Sequence, residues 1–193
     1  MNKAIFLDRD GTINVEKHYL YKISDFEFLP GVVDALRKLQ RAGYLLIIVT
    51  NQSGIGRGYY TEGDFQKLND WMVSTLKEQG VTIADVYYCP HLPDAQVEEY
   101  RKECNCRKPK LGMYQQAILD YNIQIGQSYA IGDKIRDCAI CESSPCKGFL
   151  IGENEKPEVI ANVKAGMMDR VCYANTLSDA ADFIINCKFK SNK

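Results

Sequence analysis

No stretch of the chain approaches the roughly 20 apolar residues that a membrane span requires, and the amino terminus, MNKAIFLDRDG, passes from a short apolar run straight into charged residues. That pattern predicts neither a secretory signal nor a membrane anchor. Charge of one sign is lacking as well: 24 Lys and Arg against 25 Asp and Glu leave a formal net charge of -1. Such a balance argues against a surface built to neutralise the phosphates of a duplex nucleic acid, and leaves a small anionic substrate open. Internal repeats, low-complexity tracts and a second-domain boundary are also missing. A chain of 193 residues that is 46% hydrophobic and 25% charged is then expected to fold as one soluble domain over 1–187, with a frayed tail at 188–193. Eight cysteines without a secretory signal point to a reducing cytoplasm, where thiols act as ligands or core fillers. A monomer is expected.

What is present is an alternation of short apolar runs and helical periodicity. Lys3 to Leu7 ends abruptly at Asp8-Arg9-Asp10-Gly11, and Leu45 to Val49 at Thr50-Asn51-Gln52-Ser53-Gly54, as buried strands feeding polar loops should. Between them Pro30 opens a segment with Val33, Leu36 and Leu39 at helical spacing, closed by Gly43. Thr61 with Asp64 predicts a capped helix whose apolar face holds Phe65, Leu68, Met72, Thr75 and Leu76. Val86 to Cys89 is a third strand. Met113, Ala117, Ile118 and Tyr121 mark another helix, Tyr129 to Ile131 a fourth strand ending at Gly132-Asp133-Lys134, and 149–151 and 171–173 weaker strands before a last helix from Leu177. Strands alternating with helices predict an α/β, doubly wound, mostly parallel sheet with helices on both faces, binding ligands at the carboxyl ends of its strands. Asp8, Asp10, Thr50 and Asp133 all fall at those ends.

Two kinds of metal site follow from residue type. Asp8, Asp10, Asp133 and Asp137 offer the hard oxygen ligands that magnesium prefers beside substrate phosphate. Taken singly, each would read as a turn or helix-cap residue; their joint placement at strand ends favours the cation. Cys89-Pro90-His91 and Cys104-Asn105-Cys106 supply three thiols and one imidazole in two close pairs, a closed set of the kind that holds structural zinc. Zinc there would pin the long loop 89–109, which lacks periodicity of its own. Asn51, Gln52 and Ser53 can donate to a substrate, with Gly54, Gly56 and Gly58 allowing close backbone approach. Cys138 and Cys141 have CxxC form, but core packing on a helix explains them better.

In this setting the chain resembles the haloacid dehalogenase superfamily of phosphatases. The first motif of that superfamily, DxDGT, stands as Asp8-Arg9-Asp10-Gly11-Thr12. The Ser or Thr of motif two is similar to Thr50, and the lysine of motif three to Lys108 before Pro109, with Lys110 a rival. Motif four resembles Gly132-Asp133-Lys134 with Asp137. The resemblance implies that Asp8 is the nucleophile, that Asp10 is the general acid and base, and that Thr50 and Lys108 stabilise the phosphoryl group. It places Mg²⁺ on Asp8, the Asp10 carbonyl and Asp133. The zinc loop and the lack of room for a large cap domain between Asp10 and Thr50 resemble the subgroup that contains heptose bisphosphate and histidinol-phosphate phosphatases. Ser53 and the long interval from His91 to Cys104 resemble the heptose branch. On that resemblance Glu16, Lys17, His18, Tyr19, Arg107 and Lys134 contact a sugar bisphosphate, Arg107 as a fork for its other phosphate. Rival readings are a histidinol-phosphate phosphatase, a nucleic-acid 3′-phosphatase and a non-catalytic phospholigand-binding module.

Overall fold

The short apolar runs are the strands of one sheet in the computed structural model, which describes residues 1–190. They are β1 (Lys3–Leu7), β2 (Tyr44–Asn51), β3 (Ile83–Cys89), β4 (Tyr129–Gly132), β5 (Lys147–Ile151) and β6 (Val171–Ala174). All pair in parallel, in the order β3-β2-β1-β4-β5-β6. Parallel neighbours need crossovers, and helices supply them: α1 (Val32–Arg41), α2 (Ser53–Gly56), α3 (Glu62–Glu78), α4 (Gly112–Tyr121), α5 (Ile140–Ser143) and α6 (Pro157–Lys164), with α7 (Leu177–Lys190) following the last strand. The winding runs outward from β1 to β3, returns to β4 on the other side of β1, and runs outward again. The crevice opens where the order reverses, between the carboxyl ends of β1 and β4.

Side chains alternate across a strand, so each central strand serves two cores. Ile5, Leu7, Leu46 and Ile48 join Leu36, Leu39, Met72, Leu76 and Ile184 on the face covered by α1, α3 and α7. Ala4, Phe6, Ile47 and Val49 join Met113, Tyr114, Ala117 and Val163 on the face covered by α4 and α6. Burial on both faces explains why the strands read as continuous apolar runs.

Several expectations shift in detail. Pro30 precedes α1, but its cap is Gly31 in the left-handed region (φ 74°), and the buried face is Val32, Ala35, Leu36 and Leu39, with Val33 half-buried. Thr61 and Asp64 make the reciprocal capping box, Thr61 Oγ1 accepting from Asp64 N at 3.1 Å and Asp64 Oδ2 from Thr61 N at 3.0 Å. Cys138 closes a 3-10 turn (Ile135–Cys138) and Cys141 lies on α5, so the two do not share one helix. Both are buried, as is Cys146. The final helix takes in the first residues of the segment expected as a tail; 191–193 lie outside the described residues. Between Asp10 and Thr50 there is only a 3-10 turn (Ile23–Asp25) and α1, and no cap domain.

Candidate active site and metal centres

The end of β1 is tied to β4, since Asp8 N donates to the Ile131 carbonyl at 3.0 Å. This brings the Asp8 carboxylate beside the loop that follows β4. Carboxylate oxygens of Asp8, Asp133 and Asp137 lie within 4.8 Å of one another, all buried. Two glycines make that approach feasible. A Cβ on Gly11 (φ 77°) would sit 2.3 Å from Asp133 Oδ2, and one on Gly132 would sit 2.3 Å from Asp137 Cβ.

Lys108 enters this cluster from the end of the zinc loop. Its Nζ pairs with Asp8 Oδ1 at 2.9 Å and Asp137 Oδ1 at 2.6 Å, and donates to the Val49 carbonyl at 2.6 Å. Burial alone would lower the lysine's pKa, but the two carboxylates outweigh it and hold the ammonium above its usual range. Lys110 is on the surface, 3.5 Å from Glu103. One cation does not balance three carboxylates. Burial, then repulsion from Asp137 and Asp10, pushes Asp8 up to about 6 against the pull of Lys108. Burial with the Asp8 and Asp137 charges raises Asp133 to about 7. A divalent cation fits this surplus of buried oxygen ligands. Asp137, which the sequence offers as an oxygen ligand by residue type while the family resemblance leaves it out of the magnesium set, has its carboxylate in the same cluster as Asp133.

The Asp10 carboxylate is turned to other partners. It accepts from Arg9 Nε and Nη2, Asn14 Nδ2 and Gln52 Nε2 at 2.8 to 3.1 Å, and stands outside the cluster of Asp8, Asp133 and Asp137. Gln52 is fully engaged, its Nε2 also donating to Thr50 Oγ1 at 2.9 Å and its Oε1 accepting from the Tyr60 hydroxyl at 2.7 Å. Thr50 is buried at the end of β2.

The crevice is a cleft of about 550 Å³, lined at its floor by Asp8, Asp10 and Asp133 and along its walls by Glu16, His18, Tyr19, Asn51, Gln52, Ser53, Arg107 and Lys134. Three expected contacts have internal partners: Gln52, as above, and Lys17 and Asn51. Lys17 is outside the lining, with Nζ on the Asp25 carbonyl at 2.8 Å and on Glu27 at 3.2 Å. Both ends of the Asn51 amide are spent on the main chain of Lys108, at 3.0 and 3.1 Å, so this side chain fixes the lysine's position more directly than it could bind a ligand. The lining also contains Arg57, Tyr60, Arg136 and Asn154, which sequence reasoning passed over. Asn154 follows β5, so the strand-end rule could have found it; its Nδ2 donates to Asp133 Oδ2 at 3.2 Å. Burial pulls Arg107 below the usual arginine range, and Arg136 and Arg57 nearby add to that effect, partly opposed by the cysteines. The three guanidiniums therefore make a basic wall on one side of the cleft.

At the far end of β3 the loop 89–109 folds back on α2, Val97 N donating to the Gly56 carbonyl at 3.0 Å. This fold-back brings together Cys89, His91, Cys104 and Cys106, with sulfur–sulfur distances of 3.1 to 3.5 Å and His91 Nδ1 at 3.3 Å from Cys106 and 3.7 Å from Cys89. A tetrahedron with arms of 2.0–2.3 Å has edges of about 3.5–3.8 Å. The four donors fit zinc, and among the described residues no fifth side chain joins the cluster, as in a closed, structural set.

The chain matches the family described as polynucleotide kinase 3 phosphatase over residues 3–138, a span that contains Asp8, Lys108 and Asp137. A D-glycero-beta-D-manno-heptose-1,7-bisphosphate 7-phosphatase of Haemophilus ducreyi is 53% identical over 183 residues, which are 90% of this chain and 98% of that protein. The chain belongs to this phosphatase family. Another member, from Haemophilus influenzae, is 52% identical over 81% of this chain and 85% of its own length. Among solved structures, the D,D-heptose 1,7-bisphosphate phosphatase of B. bronchiseptica superposes with a TM-score of 0.81 at 27% identity, covering 96% of this chain and 99% of that one. That crystal structure is of a complex with magnesium and phosphate. Family membership agrees with the haloacid dehalogenase-like fold and with phosphatase chemistry at the carboxylate cleft.

Proposed function

We propose that this chain removes the phosphate on carbon 7 of D-glycero-beta-D-manno-heptose 1,7-bisphosphate through a phosphorylated Asp8. The observation that carries the chemistry is the buried Asp8, held by Lys108 and facing a cleft between acidic floor and basic wall. The substrate rests on relatives of more than 50% identity that bear that name.

In this reading an oxygen of Asp8 attacks phosphorus, the bond from phosphorus to the sugar oxygen breaks, and Asp10 gives that oxygen its proton. Water then attacks the aspartyl phosphate, Asp10 takes a proton from the water, and the bond from phosphorus to Asp8 breaks to release phosphate. Lys108 orients Asp8 and, with the Thr50 hydroxyl, stabilises charge on the phosphoryl oxygens. Asp8, the Asp10 carbonyl and Asp133, with Asp137 close by, would hold Mg²⁺, which when bound neutralises negative charge that otherwise sets carboxylate against phosphate. Cys89, His91, Cys104 and Cys106 would hold Zn²⁺ and fix the loop that delivers Arg107 and Lys108. The guanidiniums of Arg107, Arg57 and Arg136 suit the phosphate left on carbon 1, whose binding orients carbon 7 over Asp8.

The described cysteines are free thiols, which suits a cytoplasmic protein. No helix among the described residues is long and apolar enough to cross a membrane. The test is a comparison of kcat/KM for the heptose bisphosphate, histidinol phosphate and an oligonucleotide 3′-phosphate with Mg²⁺ supplied. A preference for either of the last two would overturn the substrate assignment and leave the Asp8 chemistry standing.

A further inference from the structure

Arg9 occupies the variable position of the DxDGT loop and yet is 1% exposed, a costly placement for a guanidinium. Its ion pair is with Asp10, outside the buried cluster of Asp8, Asp133 and Asp137. Its Nε donates to Asp10 Oδ1 at 3.1 Å, and its Nη2 to Asp10 Oδ1 at 2.9 Å, Asp10 Oδ2 at 2.8 Å and the Leu20 carbonyl at 3.1 Å. The ring of Phe65 lies 5.6 Å from its Cζ. Nη1 is buried with no hydrogen-bond partner among the described residues. Such a group is retained when something depends on where it points. The segment just before Leu20 has unusual backbone, His18 and Tyr19 both lying in the left-handed region (φ 45° and 62°), and both line the cleft. Arg9 thus joins the Asp10 carboxylate to the root of a cleft wall.

We propose that Arg9 is a positioning residue for Asp10, its planar fork setting the direction of that carboxylate relative to the wall formed by Glu16, His18 and Tyr19 so that the leaving sugar oxygen meets it. The inference rests on the acid and base role given to Asp10 above. An acid that must transfer a proton during bond breaking needs its oxygen aimed within hydrogen-bond reach; Asn14 holds Oδ1 and Gln52 holds Oδ2 with one bond each, while the guanidinium grips both oxygens and ties them to the Leu20 carbonyl.

Leaving groups that need no proton should be indifferent to Arg9. The experiment measures kcat/KM, which reports the first phosphoryl transfer, for the heptose bisphosphate and for acetyl phosphate, whose acetate departs as an anion. Arg9→Met keeps the apolar stem. It should lower the value for the sugar substrate on the order of 100-fold and that for acetyl phosphate by no more than about threefold. Arg9→Lys keeps the charge but cannot span two oxygens and a carbonyl, and should give a selective loss of about tenfold. Thermal melting establishes that each variant is folded; if Arg9→Met is not, Arg9→Lys decides. Equal loss on both substrates, or loss on neither, overturns the proposal. Asp10→Asn is the reference: if it shows no selectivity between the two substrates, the acid role of Asp10 fails, whereas a selective Asp10→Asn beside an unselective Arg9 pair rejects the role of Arg9 alone.

Discussion

Replacing Lys108 with methionine separates charge from volume at the centre of the cleft. The lysine side chain is 1% exposed and makes ion pairs at 2.9 Å to Asp8 and 2.6 Å to Asp137, which are 8% and 1% exposed. Methionine fills comparable space, so the change leaves two buried carboxylates without their cation and the Val49 carbonyl without its donor. Breaking a buried pair from one side costs about 3–5 kcal/mol. At about 2–4 °C per kcal/mol for a chain of this size, the metal-free melting temperature should fall by roughly 6–20 °C. Loss of one stabilising donor at the transferring group costs about 100- to 1000-fold in kcat. Added Mg²⁺ should recover part of the melting temperature, because it supplies a cation to the same oxygens, but should not restore turnover. Lys110→Met is the control: its 3.5 Å pair with Glu103 is exposed and worth about 0–1 kcal/mol. Lys108→Met protein that melts within about 2 °C of the parent and turns over within tenfold of it would refute the reasoning. A larger loss in Lys110→Met would move the role two residues along the loop.

Asp8→Asn should abolish turnover, while Asp10→Asn should still form phosphoenzyme from activated substrates; substantial hydrolysis by purified Asp8→Asn protein would exclude covalent catalysis at Asp8. Protein prepared without chelator should contain about one zinc per chain, and Cys104→Ser should lower that content and destabilise the loop, as read by elemental analysis and by protease sensitivity between Pro90 and Pro109. Asp8 and Asp133 titrate above their unfolded value of 3.8, at about 6 and about 7, so the folded protein binds their protons more tightly than the unfolded chain. Their contribution to stability is complete below 3.8 and lost as pH rises through 6 and 7. Metal-free protein should therefore melt at lower temperature at pH 8 than at pH 5.5, and saturating Mg²⁺ should gain more at pH 8; a melting temperature that rises over that range without metal counts against the buried cluster. Arg107→Ala should weaken the heptose bisphosphate by about tenfold or more in kcat/KM and leave acetyl phosphate nearly unchanged, and an equal effect on both would separate Arg107 from the phosphate on carbon 1.

The parts of the site legible in the sequence share a physical signature. Asp8, Thr50 and Asp133 end apolar strands, and a buried parallel strand announces its end by the abrupt change from apolar to polar, so their convergence follows once the winding is known. The zinc set was legible because two short spacings of soft ligands carry their own geometry. Arg57 and Arg136 carried no such mark. A single arginine in a glycine-rich loop, or after a strand-end aspartate, has the same local pattern whether it faces water or a cleft, and only the sheet order brings both to Arg107.

Asn51 and Lys17 show the opposite case, because each has the right chemistry at the right place in the chain and is already engaged by a local partner. The Asn51 amide matches the donor and acceptor of one peptide unit, and the main chain of Lys108 presents both within 3.1 Å. Two such bonds to a buried main chain outweigh one to a mobile substrate. Lys17 finds a carbonyl and a carboxylate on the turn next to its own loop. The assignment of substrate contacts therefore depends on competition inside the fold. On that basis Arg107 is the residue to weigh first at the cleft wall: among the described residues its guanidinium bonds the His91 carbonyl at 3.4 Å, long for a hydrogen bond, which leaves most of its fork for an anion.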